Sequence, residues 1–187
     1  MSLSPVKQEI LEIILLQDKP TKAVDIAKGT QMEFPPVMMH LLGLVRLGYV
    51  SLPEKGQYAI TQKGKEALGI PVVSKEKATA ILSYAPHDKA FDFYCDIGKP
   101  LNLHAHSLRD FANKVEKVDI ACIEFHNKRG DFEVWFNGLG DQELAKQVAL
   151  LRQKKVAGEE LQHRLHEIVQ RRYMSLAGLA GQPIDQE

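Results

Sequence analysis

The chain reads as an α+β protein of two units: three helices and a β-hairpin, then a mostly helical region opened by a second hairpin. Three observations predict this. Apolar residues recur at helical spacing in three successive segments before Gly48. The period then shifts to alternation around turn signals, once near residues 50–60 and again near 91–105. Between these regions "IPVVSKEKATAILSYAPHDKA" shows little periodicity and two prolines, which marks residues 71–88 as a linker with one helical turn pair near Lys75 to Ser83. The expected units are therefore 1–70 and 89–187.

Ser4-Pro5 opens the first helix, where a missing N–H is harmless, and Val6, Ile10, Ile13, Ile14 and Gln17 fall on one side to about Leu16. Thr21 is expected to cap a short second helix with Val24, Ile26 and Ala27 inward. Gly29 is expected to end it, because glycine enters the left-handed conformation without steric cost. Pro35-Pro36 opens the third helix, Val37, Leu41, Leu44 and Val45 make its buried stripe, and Gly48 closes it. "YVSLPEKGQYAIT" then holds two extended runs around a Pro- and Gly-containing turn, the pattern of a hairpin. Thr61 caps a last short helix, "QKGKEALG", closed by Gly69.

This order, with "HLLGLVRLGYV" and "YAITQKGKEAL", resembles the winged helix-turn-helix domain of prokaryotic transcription regulators over residues 4–70. The pattern Y-x-[IL]-T-x-x-G-x-x-A-L is its more specific part. The resemblance implies a cytoplasmic, dimeric regulator that binds double-stranded DNA through its third helix and a hairpin wing. On that alignment Pro36, Met38, Met39, Leu42 and Arg46 face outward, and Lys55 and Gln57 of the wing and Lys63 face phosphates, with Lys22, Lys28 and Lys65 near by. Met39 falls where a base-reading Arg or Gln is common. Such a bidentate reader contributes about 1–3 kcal/mol of discrimination, whereas Met offers only apolar contact, so the expected sequence readout is weak. As the alternative, the run Met38, Met39, Leu42 suits a protein partner, since flexible apolar side chains left in water mark adaptable docking surfaces.

In the second half "AFDFYCDIGKPLNLHAHS" alternates, with Phe91, Phe93 and Cys95 on one face, and turns at Gly98-Lys99-Pro100. Ser107 and Asp110 make a capping-box-like pair, and Asp131 and Asp141 are expected to cap two short helices. The last helix is expected over 158–177, with Leu161, Leu165, Ile168 and Val169 inward and Arg164, Arg171 and Arg172 outward. Around "VDIACIEFHNKRGDFEVWFNGLGDQELA" the chain resembles, over about 90–172, a prokaryotic, archaeal-type domain of unknown function found behind helix-turn-helix domains. That resemblance implies no activity; dimerisation or signal sensing is the expected role.

Composition narrows the options. With 187 residues, 44% of them hydrophobic, the chain can fill two cores. Lys+Arg and Asp+Glu both number 24, and neither half carries the basic excess typical of non-specific nucleic-acid binders, so any DNA contact must be local. No run approaches the roughly 20 apolar residues of a membrane span, and Lys7, Glu9 and Glu12 interrupt the first apolar segment. Cys95 and Cys122 are expected to be reduced thiols within the core. With His104, His106 and His126 they form a conceivable but unspecific metal set, and no metal or cofactor is expected. Glu124, His126, Arg129 and Asp131 form the one dense cluster suited to acid–base work. No nucleophile motif, phosphate loop or dinucleotide fingerprint accompanies it. The expectation is a non-enzyme in which His126 and Asp131 bond around the "NKRGD" turn while Phe132 and Trp135 pack inward.

Overall fold

In the computed structural model, which describes residues 3–183, α1 (Pro5–Gln17) starts on Ser4 with Pro5 in its first turn. There follow β1 (Thr21–Lys22), α2 (Ala23–Thr30), α3 (Phe34–Arg46), β2 (Val50–Glu54), β3 (Gln57–Ile60) and α4 (Gln62–Ala67). The three strands form an antiparallel sheet in the order β1-β3-β2, with Thr21 opposite Tyr58 and Val50 opposite Ile60. Ile10, Leu11, Ile14, Ile26, Val37, Leu41 and Leu44 from the helices meet Val50 and Tyr58 of the sheet in one apolar core. Each such fully buried aliphatic side chain contributes about 1.5–3 kcal/mol.

Two local expectations are corrected. Thr21 does not cap α2; it lies in β1, its hydroxyl donates to the Lys19 carbonyl at 2.8 Å, and Lys22 takes the cap position without a side-chain bond. Gly29 does not end α2, which runs on to Thr30 and stops at Gln31, in the left-handed region at φ 56°. Glycine is needed at 29 for a different reason: a Cβ there would fall 2.9 Å from Cγ2 of Ile13, so the bare backbone lets α2 close on α1. Beyond these two, Val24, expected inward, is 46% exposed, because the buried face of α2 is made by Ala23, Ile26, Ala27 and Thr30; Gly48 at φ 77° does follow α3, and the Thr61 hydroxyl accepts from Gly64 N at 3.1 Å.

The chain divides into two compact units at Val72–Val73. Much of the expected linker belongs to the second unit. Ser74 caps α5 (Lys75–Ile81), accepting from Lys77 N at 3.2 Å, and Ala78 and Ile81 are buried. A 3-10 turn (His87–Lys89) leads into the antiparallel hairpin β4 (Phe91–Asp96) and β5 (Lys99–Ala105), with Phe91 opposite Ala105. Then come α6 (Leu108–Val115), α7 (Ile120–Arg129), α8 (Asp131–Leu139), α9 (Gln142–Gln153) and α10 (Gly158–Ala180). Helix α10 is the centre of this unit, with α5, α6, α7 and α9 packed against it. Phe93, Phe111, Phe132 and Phe136 are fully buried and form an aromatic core with Phe91.

Three expectations fail here for tertiary reasons. Arg172 is buried, not outward: its Nε and Nη2 donate to the two Asp141 oxygens at 2.8 and 2.9 Å, and Nη1 donates to Glu143 at 2.7 Å. Asp141 does cap α9, through Leu144 N at 3.2 Å, but Asp131 is the first residue of α8 behind Gly130 and caps nothing through its side chain. Cys95 and Cys122 are joined as a disulfide that ties β4 to α7, so they are not free thiols. Among the described residues no helix is long and apolar enough to cross a membrane.

Candidate nucleic-acid interface and the His126 pocket

Helix α3 buries Val37, Leu41 and Leu44, which puts residues half a turn away into water. Met39 and Leu42 are 64% and 54% exposed, and Arg46 is exposed one turn further on. Met38 is not part of this face. It is half-buried against the core, with the Tyr58 hydroxyl 3.9 Å from its sulfur. Pro36 is half-buried as well. The outward apolar patch is therefore Met39 and Leu42, extended by Leu47, which is 45% exposed at the helix end.

The hairpin turns at Lys55-Gly56, and Lys55 is exposed at its tip. Gln57, expected to reach phosphate, is half-buried and donates from Nε2 to Glu54 at 2.6 Å. Lys63 is already engaged: Nζ donates to the Leu47 carbonyl at 2.8 Å and sits 5.1 Å from the centre of the Tyr49 ring. There it meets the negative end of the α3 dipole, a favourable place for a cation. Lys28 faces Asp25 at 3.9 Å. Of the residues expected to meet DNA, the structure brings Met39, Leu42, Arg46 and Lys55 to the surface with their polar or apolar ends uncommitted. It turns Met38 inward and commits Gln57 and Lys63 to neighbours.

The second cluster forms around His126, which is only 3% exposed. Its Nε2 accepts the Tyr94 backbone N–H at 2.8 Å, and its Nδ1 donates to Asp131 at 2.8 Å. Arg129 Nε donates to the same carboxylate at 3.1 Å. Burial lowers the imidazole pKa below its ordinary value, with Asp131 opposing the shift. A neutral ring with both nitrogens occupied has no lone pair for a substrate proton, so this histidine orients β4 and the start of α8. The adjoining pocket, about 340 Å³, is lined by Tyr94, Phe125, His126, Arg129 and Asp131. Glu124 leaves the cluster to accept from Gly158 N at 2.8 Å.

The metal set is dispersed too. Cys95 and Cys122 are spent on each other, and His104 Nδ1 faces Asp92 at 2.5 Å. His106 Nδ1 donates to the Ala85 carbonyl at 2.9 Å. Among the described residues no group of three such side chains is arranged to hold a metal ion. Trp135, expected inward, is only half-buried, with Nε1 donating to the Lys89 carbonyl at 2.9 Å. No signal in the sequence marked it for a partly open position, since its neighbours Phe132 and Phe136 do pack inward. No known protein family, curated protein or solved structure matches the chain.

Proposed function

We propose that the protein is a DNA-binding transcriptional regulator that contacts double-stranded DNA through α3 and the β2–β3 hairpin, with weak sequence readout. The second unit would pair two copies or receive a signal. The observation that carries this reading is the order α1-β1-α2-α3-β2-β3 around a β1-β3-β2 sheet, with the outer face of α3 ending at Arg46 and the turn at Lys55 both left open to solvent. A helix beside a hairpin, each ending in an exposed cation, suits a groove flanked by phosphates. Met39 and Leu42, lacking donors, can reward only the thymine methyl.

A titration across salt concentrations tests it. Met39→Arg adds a cation on the outer face, so affinity rises and the slope of log K against log salt steepens by about one unit for one new phosphate contact. Absence of salt-sensitive binding in both the parent and Met39→Arg overturns the reading. A second reading is favoured by the exposure of Met39 and Leu42, 64% and 54%: α3 as a protein-docking face. In that case Met39→Arg drives an unpaired charge into a packed contact and dissociates the assembly, which sedimentation detects.

A further inference from the structure

The second unit carries a recess of about 580 Å³ that the DNA reading leaves unused. Helix α8 contributes Val134, Trp135 and Gly138 to it, and the segment between α5 and β4 contributes Tyr84, Pro86 and Lys89. Its size lies within the range of about 300–1,000 Å³ that small-molecule sites occupy. Val134 and Tyr84 are 73% and 71% exposed, so the recess is edged with apolar surface still in water.

The two aromatic walls are fixed without a ligand. Trp135 is held by its Nε1 bond to the Lys89 carbonyl and by the rings of Phe111 and Phe136, 5.2 and 5.3 Å away between centroids. Tyr84 lies flat on His106, 4.8 Å between centroids and 6° between planes. His106 is itself anchored to the Ala85 carbonyl. Preformed walls of this sort spare a ligand the cost of ordering them. Gly138 adds the third observation. A glycine within a helix weakens it relative to alanine, yet a Cβ at 138 would meet nothing within 4 Å. Packing therefore does not demand glycine there, and its effect is to leave the recess open.

We infer that this recess is a binding site for a small planar aromatic compound, its ring against Trp135 and Tyr84 and a polar substituent at the Asp88-Lys89 edge. The inference holds whether or not α3 meets DNA. Trp135 is the sole tryptophan, so its emission reports on this site directly. The full chain is titrated with 1-anilinonaphthalene-8-sulfonate while Trp135 fluorescence is followed. The expected result is saturable one-to-one quenching below about 1 mM. Gly138→Leu fills the recess and weakens binding at least about tenfold with the melting temperature retained, and Tyr84→Ala weakens it about two- to tenfold. Should Gly138→Leu fail to fold, Tyr84→Ala decides, because its ring is largely exposed. Quenching that does not saturate in the parent, or folded variants that quench as the parent does, overturns the site.

Discussion

In the first unit the interior is aliphatic apart from Tyr58, and the buried polar residues among those described are two threonines, Thr21 and Thr30, whose hydroxyls bond to nearby carbonyls. The second unit encloses Arg172, Asp141, Glu143 and His126 beside its phenylalanines. The contrast teaches that the first unit keeps its charges at the surface, where Arg46 and Lys55 are exposed, whereas the second unit also buries charges that hold its helices together. A buried ion cluster adds little net stability, but removing one member strands the others.

The largest effect that tests this contrast is therefore Arg172→Ala. It leaves Asp141 and Glu143 buried without their shared cation, and the second unit should lose about 3–5 kcal/mol. Trp135 emission follows that unit alone, so denaturant unfolding read by fluorescence measures the loss. An unchanged midpoint would break the comparison. Next comes reduction of the Cys95–Cys122 bond, which closes a separation of 27 residues. For a loop of that length the cost is about 3–4 kcal/mol, read as a lower fluorescence-detected melting temperature in dithiothreitol.

A pH effect follows from His126. Its folded pKa is lowered, chiefly by burial, so below the ordinary imidazole value of about 6.5 the unfolded chain binds the proton more readily than the folded one. The His126 contribution is complete above that value and is lost as pH falls through the folded pKa. Melting of the second unit should drop between pH 7.5 and pH 5, and His126→Gln, which keeps one acceptor and one donor, should flatten the drop. The smallest effect on stability is expected at α3: Arg46→Ala should shift it by no more than about 0.5 kcal/mol. The same variant should flatten the salt slope of DNA binding by about one unit. A large stability loss there would mean that the outer face of α3 is structural.

What was legible in the sequence was local. Val37, Leu41 and Leu44 fall at helical spacing, and Thr61, Ser107 and Asp141 cap helices because their oxygens reach the N–H three residues on. What was illegible depended on distant partners. Arg172 sits on a polar face by spacing, yet its carboxylates come from residues 31 and 29 positions away. The place of Gly29 depends on Ile13 of another helix, and β1 is too short, at two residues, to show alternation. Of the candidate site, the exposed positions of α3 followed from helical spacing, but the half-burial of Met38 involves Tyr58 of β3, twenty residues on.

The place of α10 has a further consequence for how the chain comes into being. Its residues are made last among the described helices, and they pack on α5, the first helix after the boundary. During vectorial synthesis the first unit has every element it needs once residue 72 has left the ribosome, whereas the second waits for Ala180. At about 5–20 residues per second, α5, α6 and α7 stay without the helix they pack against for several seconds. In that interval the second unit lacks its central helix, and apolar surface left open in this way is what makes an incomplete chain prone to aggregate.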